Sequence, residues 1–198
     1  MRQNTSSSNA GRFLREFLAQ PMATGAIVPS SSGLASEIVA NLDLANAKAV
    51  VEFGPGTGAF TPFILRSLSH STRFIAIEIN PRLADLFRVQ HPDVELFQDS
   101  VANARSICTR AGIEMADCIV SGLPWAAFPE TMQVEILDEM MRVLKPEGQF
   151  VTFAYVHGLI LPPGRRFSRI LPKYFRSISK SPIVWKNVPP AFVYRCIR

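Results

Sequence analysis

The sequence predicts an α/β fold: a doubly wound, mostly parallel seven-stranded sheet with a C-terminal antiparallel hairpin and N-terminal helices. Three observations carry that expectation. Between residues 49 and 155, short apolar runs alternate with segments of helical periodicity, the pattern of a parallel sheet covered on both faces. The first run ends in a glycine-rich turn, "VVEFGPGTGAFT" at residues 50–61, where open α/β sheets hold their ligands. Beyond Tyr155 the alternation stops, and apolar runs at residues 183–185 and 191–197 flank "KNVPP", as two strands flank a hairpin turn.

The elements follow in order. Residues 1–9 are polar and are expected to lack order. In residues 10–20, Phe13, Leu14, Phe17 and Leu18 recur at helical spacing with Arg12, Arg15 and Glu16 between them, and Pro21 closes the segment, which predicts a short amphipathic helix. A Ser-, Gly- and Pro-rich loop leads to a second helix near residues 33–42, capped by Ser31 or Ser32. Strands are then predicted at 49–53, 73–79, 94–98, 116–121 and 148–155, and helices at 60–68, 81–90, 102–111 and 129–144.

A length of 198 residues with 47% hydrophobic content suits one domain with one sizeable core. No apolar stretch approaches the roughly 20 residues that span a bilayer, and "MRQNTSSSNAGRF" has no apolar run after its first arginine, so neither a membrane span nor a secretory signal is expected. The expected address is cytoplasmic, with the chain a monomer. Cys108, Cys118 and Cys196 lack C-x-x-C spacing, so no disulfide framework and no metal site are expected. The formal net charge of +5 conceals an asymmetry: from His157 to Arg198 there are nine basic and no acidic residues, against twelve basic and sixteen acidic before them. Such a separation points to a polyanion, nucleic acid or an anionic membrane surface, beside the plainer reading of a solvated basic face.

The glycine turn narrows the ligand. A phosphate loop needs G-x-x-x-x-G-K-[ST], and no lysine lies near Gly54 to Thr61. A dinucleotide site prefers G-x-G-x-x-G facing a pyrophosphate; here the glycines are Gly54, Gly56 and Gly58, behind Glu52. A carboxylate there repels pyrophosphate and attracts a ligand bearing an amine or sulfonium.

The turn resembles the first motif of class I S-adenosylmethionine-dependent methyltransferases, E-x-G-x-G-x-G. The resemblance extends to Glu78 at the end of the next strand, Asp99 in "LFQDS" at the end of the third and "VLKPEGQFV" before the fifth. It implies a Rossmann-like methyltransferase fold in which Glu52, Phe53, Gly54, Pro55, Gly56, Thr57, Gly58, Glu78, Ile79, Asp99, Ser100 and Ser121 hold S-adenosyl-L-methionine. Glu78 would accept from the ribose hydroxyls and Asp99 from the adenine amine, and S-adenosyl-L-homocysteine would be released. The implied organisation is a lid or membrane-contact region at residues 1–47 and a methyltransferase domain at 48–198 with a basic insertion at 157–181.

The fourth strand runs into "SGLPW", Ser121, Gly122, Leu123, Pro124 and Trp125, in the slot of the N-x-P-[YF] type motif of amino-group methyltransferases. There a polar side chain and a carbonyl receive the target amine, and alignment with the methyl donor follows. Ribosomal RNA adenine dimethyltransferases carry N-L-P-Y in this slot and a helical domain after the catalytic one. Bacterial phospholipid N-methyltransferases typically carry S-x-L-P, and "GAIVPSSSGLA", "FVTFAY" and "NVPPAFVYR" also resemble their pattern. Because the sequence has the serine form and stops at Arg198, the expectation is methylation of phosphatidylethanolamine and its partly methylated forms. Methylation of an RNA adenine-N6 or of a small amine is the alternative, and a non-catalytic binding module a third class that the intact motif disfavours. Tyr155 and His157 are candidates to contact the amine, and Trp125, Phe128 and Tyr155 to face a quaternary product. The expected partner is an anionic membrane surface at the inner face of the cell membrane, met by Phe13, Leu14, Phe17 and Leu18 and by Arg165, Arg166, Arg169, Lys173, Arg176 and Lys180. Phe167, Ile170, Leu171, Tyr174 and Phe175 interleave with those cations, as a surface-lying segment requires. Single-stranded nucleic acid is the less favoured partner.

Overall fold

The computed structural model describes residues 31–198. The sequence stripe Phe13, Leu14, Phe17 and Leu18 lies outside the described residues. The chain order is α1 (Ser32–Val39), β1 (Ala49–Phe53), α2 (Thr61–Ser67), β2 (Arg73–Ile77), α3 (Pro81–Gln90), β3 (Glu95–Phe97), α4 (Ala104–Arg110) and β4 (Ala116–Ser121). It continues through α5 (Glu130–Met141), β5 (Leu144–Tyr155), α6 (Pro162–Ile170), β6 (Ser177–Lys180) and β7 (Ala191–Ile197). Local chemistry starts several helices. The Ser31 hydroxyl accepts from Leu34 N at the head of α1, and the Asn80 side chain accepts from Arg82 N and Leu83 N ahead of Pro81.

The seven strands form one sheet in the order β3-β2-β1-β4-β5-β7-β6. The first five strands in sequence pair in parallel and β7 runs antiparallel between β5 and β6, as the sequence predicts. Strand order reverses between β1 and β4, which opens a crevice at their carboxyl ends. Alternation along the strands feeds two cores. Val51, Phe53, Ile119, Phe150, Phe192 and Tyr194 face α4, α5 and α6, while Val50, Val120, Val151 and Val193 face Leu34, Ala35 and Ile38 of α1 and Ile64 of α2.

The closing hairpin differs from the expectation. The partner of β7 is "SISK" at Ser177–Lys180, not residues 183–185, of which only Val184 forms an isolated bridge, to Ala191. A sheet-edge strand gains its place through backbone pairing and carries polar side chains, whereas Pro182 removes a donor from the apolar stretch that follows. The strand expected at 148–155 begins at Leu144, and its register against β4 shifts at "KPEG", where Glu147 sits at φ 63. Pairing thus resumes on both sides of the turn that the sequence shows. The basic segment is also corrected. Phe167, Ile170, Leu171 and Phe175 are buried in the first core and Tyr174 donates to Asp138 at 2.7 Å, so the rings between the cations belong to the interior and only the cationic face of α6 meets solvent.

Arg195 of β7 pins α1 to the sheet. Its Nε donates to Ala40 O at 2.9 Å and its Nη2 to Glu37 O at 2.8 Å, with Glu37 Oε1 at 2.5 Å, satisfying carbonyls that a helix end leaves open. Arg195→Ala is expected to cost about 2 kcal/mol and roughly 5 °C in Tm. Amide exchange confined to α1 should accelerate, and unchanged exchange there would refute the assignment.

Candidate active site

The carboxyl edge at the β1–β4 reversal gathers most of the residues singled out in the sequence. The glycine turn uses its own amides internally. Gly54 N donates to Ile77 O at 2.8 Å, Gly56 N to Glu78 Oε2 at 3.1 Å and Gly58 N to Pro55 O at 2.9 Å. Gly54, Gly56 and Gly58 all have positive φ, at 63, 61 and 86°, a conformation that disfavours other residues. Their surroundings differ. A Cβ on Gly54 would lie 2.6 Å from Leu123 Cδ2 and one on Gly58 would overlap His91, yet one on Gly56 meets nothing within 4 Å. Gly56 is therefore the point at which backbone is laid open to a ligand.

Two carboxyls lie behind it. Glu52 is fully buried in β1; Thr61 Oγ1 donates to its Oε2 at 2.7 Å, and its Oε1 has no partner. Burial pushes this carboxyl up to about 8, against the Thr61 hydrogen bond and with help from the Glu78 charge. Glu52 is thus mostly protonated at neutral pH, which refines the expectation of a standing negative charge. Glu78 is 3% exposed, and accepts from Asn80 N at 2.8 Å as well as from Gly56 N. Burial raises its pKa and the backbone donors oppose that rise. A carboxylate has about four lone-pair sites, so capacity remains for ligand hydroxyls. Asp99 follows β3; its Oδ1 accepts from Ser100 N at 2.7 Å and Asn103 Nδ2 at 2.9 Å, and Arg110 lies 3.6 Å from Oδ2. Phe53, Pro55 and Ser100 are buried, while Thr57 and Ile79 are partly exposed at the rim.

The turn after β4 is pressed against the glycine turn. Gly122 N donates to Phe53 O at 2.8 Å, and a Cβ on Gly122 would overlap the Gly54 carbonyl oxygen. Ser121 and Trp125 are placed otherwise than expected. Ser121 is fully buried, its Oγ accepting from Trp125 Nε1 at 3.1 Å and Leu123 N at 3.3 Å. The indole stacks on Phe167, with ring centres 4.6 Å apart, and stands edge-on to Phe128 and Phe150. Trp125 and Phe128 are therefore core rings and do not face an acceptor, and the serine locks the turn because an indole N–H buried in a core needs a partner. Leu123 is buried too, and Gly122 and Pro124 are the partly exposed members of the turn. Tyr155 is half-buried at the end of β5 and stacks on exposed His157, with ring centres 5.5 Å apart; burial raises its phenol pKa.

Three further residues hold this site. Thr61 hydrogen-bonds Glu52, and a hydroxyl nine residues after a strand carboxylate was the signal available for it. Gln133, fully buried in α5, donates through Nε2 to Trp125 O at 2.7 Å and Phe128 O at 3.2 Å. His91 closes on Gly58. Nothing in the spacing of Gln133 or His91 marks them.

Comparison with known proteins decides the family. A family model described as a methyltransferase domain matches residues 50–148. Over 187 residues the chain is 31% identical to the ornithine lipid N-methyltransferase of Singulisphaera acidiphila, the match covering 93% of each chain. The chain belongs to the class I S-adenosylmethionine-dependent methyltransferases. Among solved structures, the O-methyltransferase from Bacillus cereus in complex with SAH aligns with a TM-score of 0.69 at 13% identity, covering 100% of this chain and 93% of that one. The Streptomyces achromogenes O-methyltransferase TomG in complex with SAM aligns with a TM-score of 0.66 at 17% identity, covering 99% and 91%. Both share the fold.

The residues fit the methyl donor of this family. Gly56 offers unfilled space, Glu52 a buried oxygen, Oε1, without a partner, and the glycine amides are already spent, so the turn suits a cation better than a pyrophosphate. Two outcomes are expected. Gly56→Ala should fold, at a cost of about 1 kcal/mol for its positive φ, and bind S-adenosylmethionine at least roughly tenfold more weakly because its methyl occupies that space. Gly122→Ala should destabilise the fold itself; calorimetry with thermal unfolding separates the two, and equal stability losses would contradict the geometry. The second outcome concerns Glu52. With a native pKa of about 8 against 4.5 unfolded, the native chain keeps a proton that the unfolded chain releases, so this group lowers stability as pH rises from 4.5 to 8 and has no further effect above. Glu52→Gln should raise Tm relative to the parent progressively across that window, and a pH-independent difference would rule the assignment out.

Proposed function

We propose that the chain transfers methyl groups from S-adenosylmethionine to the amine of a membrane lipid headgroup. The observation that carries this reading is the match, over 93% of both chains, to a relative named as a lipid N-methyltransferase. The serine form of the turn, "SGLP", adds support through its likeness to the phospholipid enzymes. On that likeness the acceptor is phosphatidylethanolamine and its partly methylated forms; the relative's own name favours an ornithine lipid as a second reading.

In this reading Glu52, Gly54, Gly56, Gly58, Glu78, Ile79 and Asp99 form the cofactor's bed. The bound cofactor supplies an electrophilic methyl on a cationic sulphur. Gly56 admits close approach, Glu78 receives hydroxyl donors with its remaining lone pairs, and the unpaired Glu52 oxygen receives positive charge. The partly exposed Gly122 and Pro124 and the Tyr155–His157 pair border the acceptor. A reacting amine must shed its proton. Tyr155 and, stacked on it, His157 are the candidates to contact that amine. Among the described residues no helix is long and apolar enough to cross a membrane. A headgroup acceptor would instead have the enzyme work peripherally, at the inner face of the cell membrane.

The test is incubation with labelled S-adenosylmethionine and vesicles containing phosphatidylethanolamine, an ornithine lipid or both, with RNA and free ethanolamine as competing acceptors. Label in a lipid amine is the expected outcome and shows which lipid is used. Label confined to RNA or to the small amine would overturn the reading.

A further inference from the structure

Among the described residues eight large apolar side chains are exposed, and five of them, Ile160, Leu161, Ile183, Trp185 and Val188, sit on two adjoining connections. Ile160, Trp185 and Val188 are 70, 70 and 71% exposed, values at which an apolar side chain gains nothing from its own fold. The connections are the turn after β5 and the link between β6 and β7. Because Tyr155 pairs with Ala191, the last residue of β5 with the first of β7, both connections lie at the carboxyl edge that holds the glycine turn. A bond from Val156 N to Pro190 O, 2.9 Å, ties one to the other.

The charge around them is mostly positive. Leu161 leads directly into α6, whose exposed side carries Arg165 and Arg169, with Lys173 following; Lys186 stands between Trp185 and Val188. Pro162, Arg165, Arg166 and Arg169 line a recess of about 280 Å³, in which Arg166 also pairs with Glu130 at 3.3 Å. No acidic residue occurs from His157 to Arg198. Ser31, the first described residue, also meets this link, its N donating to Asn187 Oδ1 at 2.9 Å.

Resting on the lipid reading above, we propose that Ile160, Leu161, Ile183, Trp185 and Val188 form an apolar lip that inserts into an anionic bilayer, beside a cationic recess that takes lipid phosphate. Apolar tips with a tryptophan, backed by cations, match the boundary between headgroups and acyl chains. The lip brings the open edge of the sheet to the depth at which headgroup amines lie.

The reporter is built in. Of the two tryptophans, Trp125 is 2% exposed, so an emission change on adding vesicles to the full chain comes from Trp185. With vesicles of phosphatidylethanolamine and phosphatidylglycerol the emission should shift to the blue, brominated acyl chains should quench it, and Trp185→Phe should abolish the response. The Ile160→Asp/Val188→Asp double variant should sediment with these vesicles, and methylate their lipid, at least tenfold less than the parent. Its cofactor affinity, and its rate on a short-chain phosphatidylethanolamine kept below its micelle concentration, should be unchanged. Emission that stays at its water value overturns the lip, as does emission already blue-shifted without vesicles, which would mean that residues 1–30 or a second copy cover it. Methyl transfer to vesicle lipid with silent Trp185 sinks the lip and keeps the function; insertion of Trp185 with no lipid methylation keeps the lip and sinks the function.

Discussion

Between the glycine turn and the turn after β4 there is room for hydrogen atoms and nothing larger. Gly122 N reaches Phe53 O at 2.8 Å, and a methyl on Gly122 would occupy the Gly54 carbonyl. This contact joins the two strands at which the sheet reverses its order, so on the proposed reading the bed for the cofactor and the border of the acceptor are parts of one rigid joint. Leu123 closes it from the other side, its side chain resting where Gly54 would otherwise carry a Cβ. Transfer between two bound groups depends on their relative placement, and a joint made of backbone fixes that placement more firmly than one made of rotatable side chains.

The same joint explains the chemistry of the site. A turn that presents free amides collects anions; this one has bonded its glycine amides to Ile77, Glu78 and Pro55 before any ligand arrives. What it leaves is open space at Gly56 and, buried behind it, an unpartnered oxygen on Glu52. Burial holds Glu52 largely protonated in the absence of a counter-charge; on the proposed reading, a cation bound beside it would favour the ionised carboxyl. The standing negative charge expected from the sequence is thus replaced, in the unliganded protein, by a mostly neutral carboxyl.

Much of this was legible. Apolar period and helix start signals located the five parallel strands and their helices, because elements buried on both faces must be apolar whatever their neighbours. The acidic residues at strand ends were legible because their spacing follows the sheet. The edge strand at Ser177–Lys180 was not, since its pairing resides in the backbone and its side chains are solvated. The inward turn of Ser121 and Trp125 was not either: a polar side chain beside an aromatic reads alike whether the pair faces a ligand or each other. Only the third dimension supplied Phe167 as the ring on which Trp125 stacks. For the same reason Phe167 and Phe175 read as a surface stripe in sequence and as core in space.

That misreading leads to the last structural connection. Because Phe167 and Ile170 are anchored inside, α6 cannot swing freely; its cationic side is presented by a helix locked to the catalytic edge. Gly164 of α6 is packed so tightly on Gly158 that a Cβ would overlap its carbonyl, and that same Cβ would lie 3.5 Å from Ala126. Gln133 spans the join, its amide lying 2.7 Å from Trp125 O and 3.4 Å from Pro163 O. Its two hydrogens are directed mainly at Trp125 O and Phe128 O, and the Gly164–Gly158 and Trp125–Phe167 contacts hold α6 to the turn. On the lipid reading, the surface that meets the bilayer and the turn that borders the amine are therefore one body, and the height of the headgroup above the acyl chains is measured against the site by the protein's core and needs no moving part.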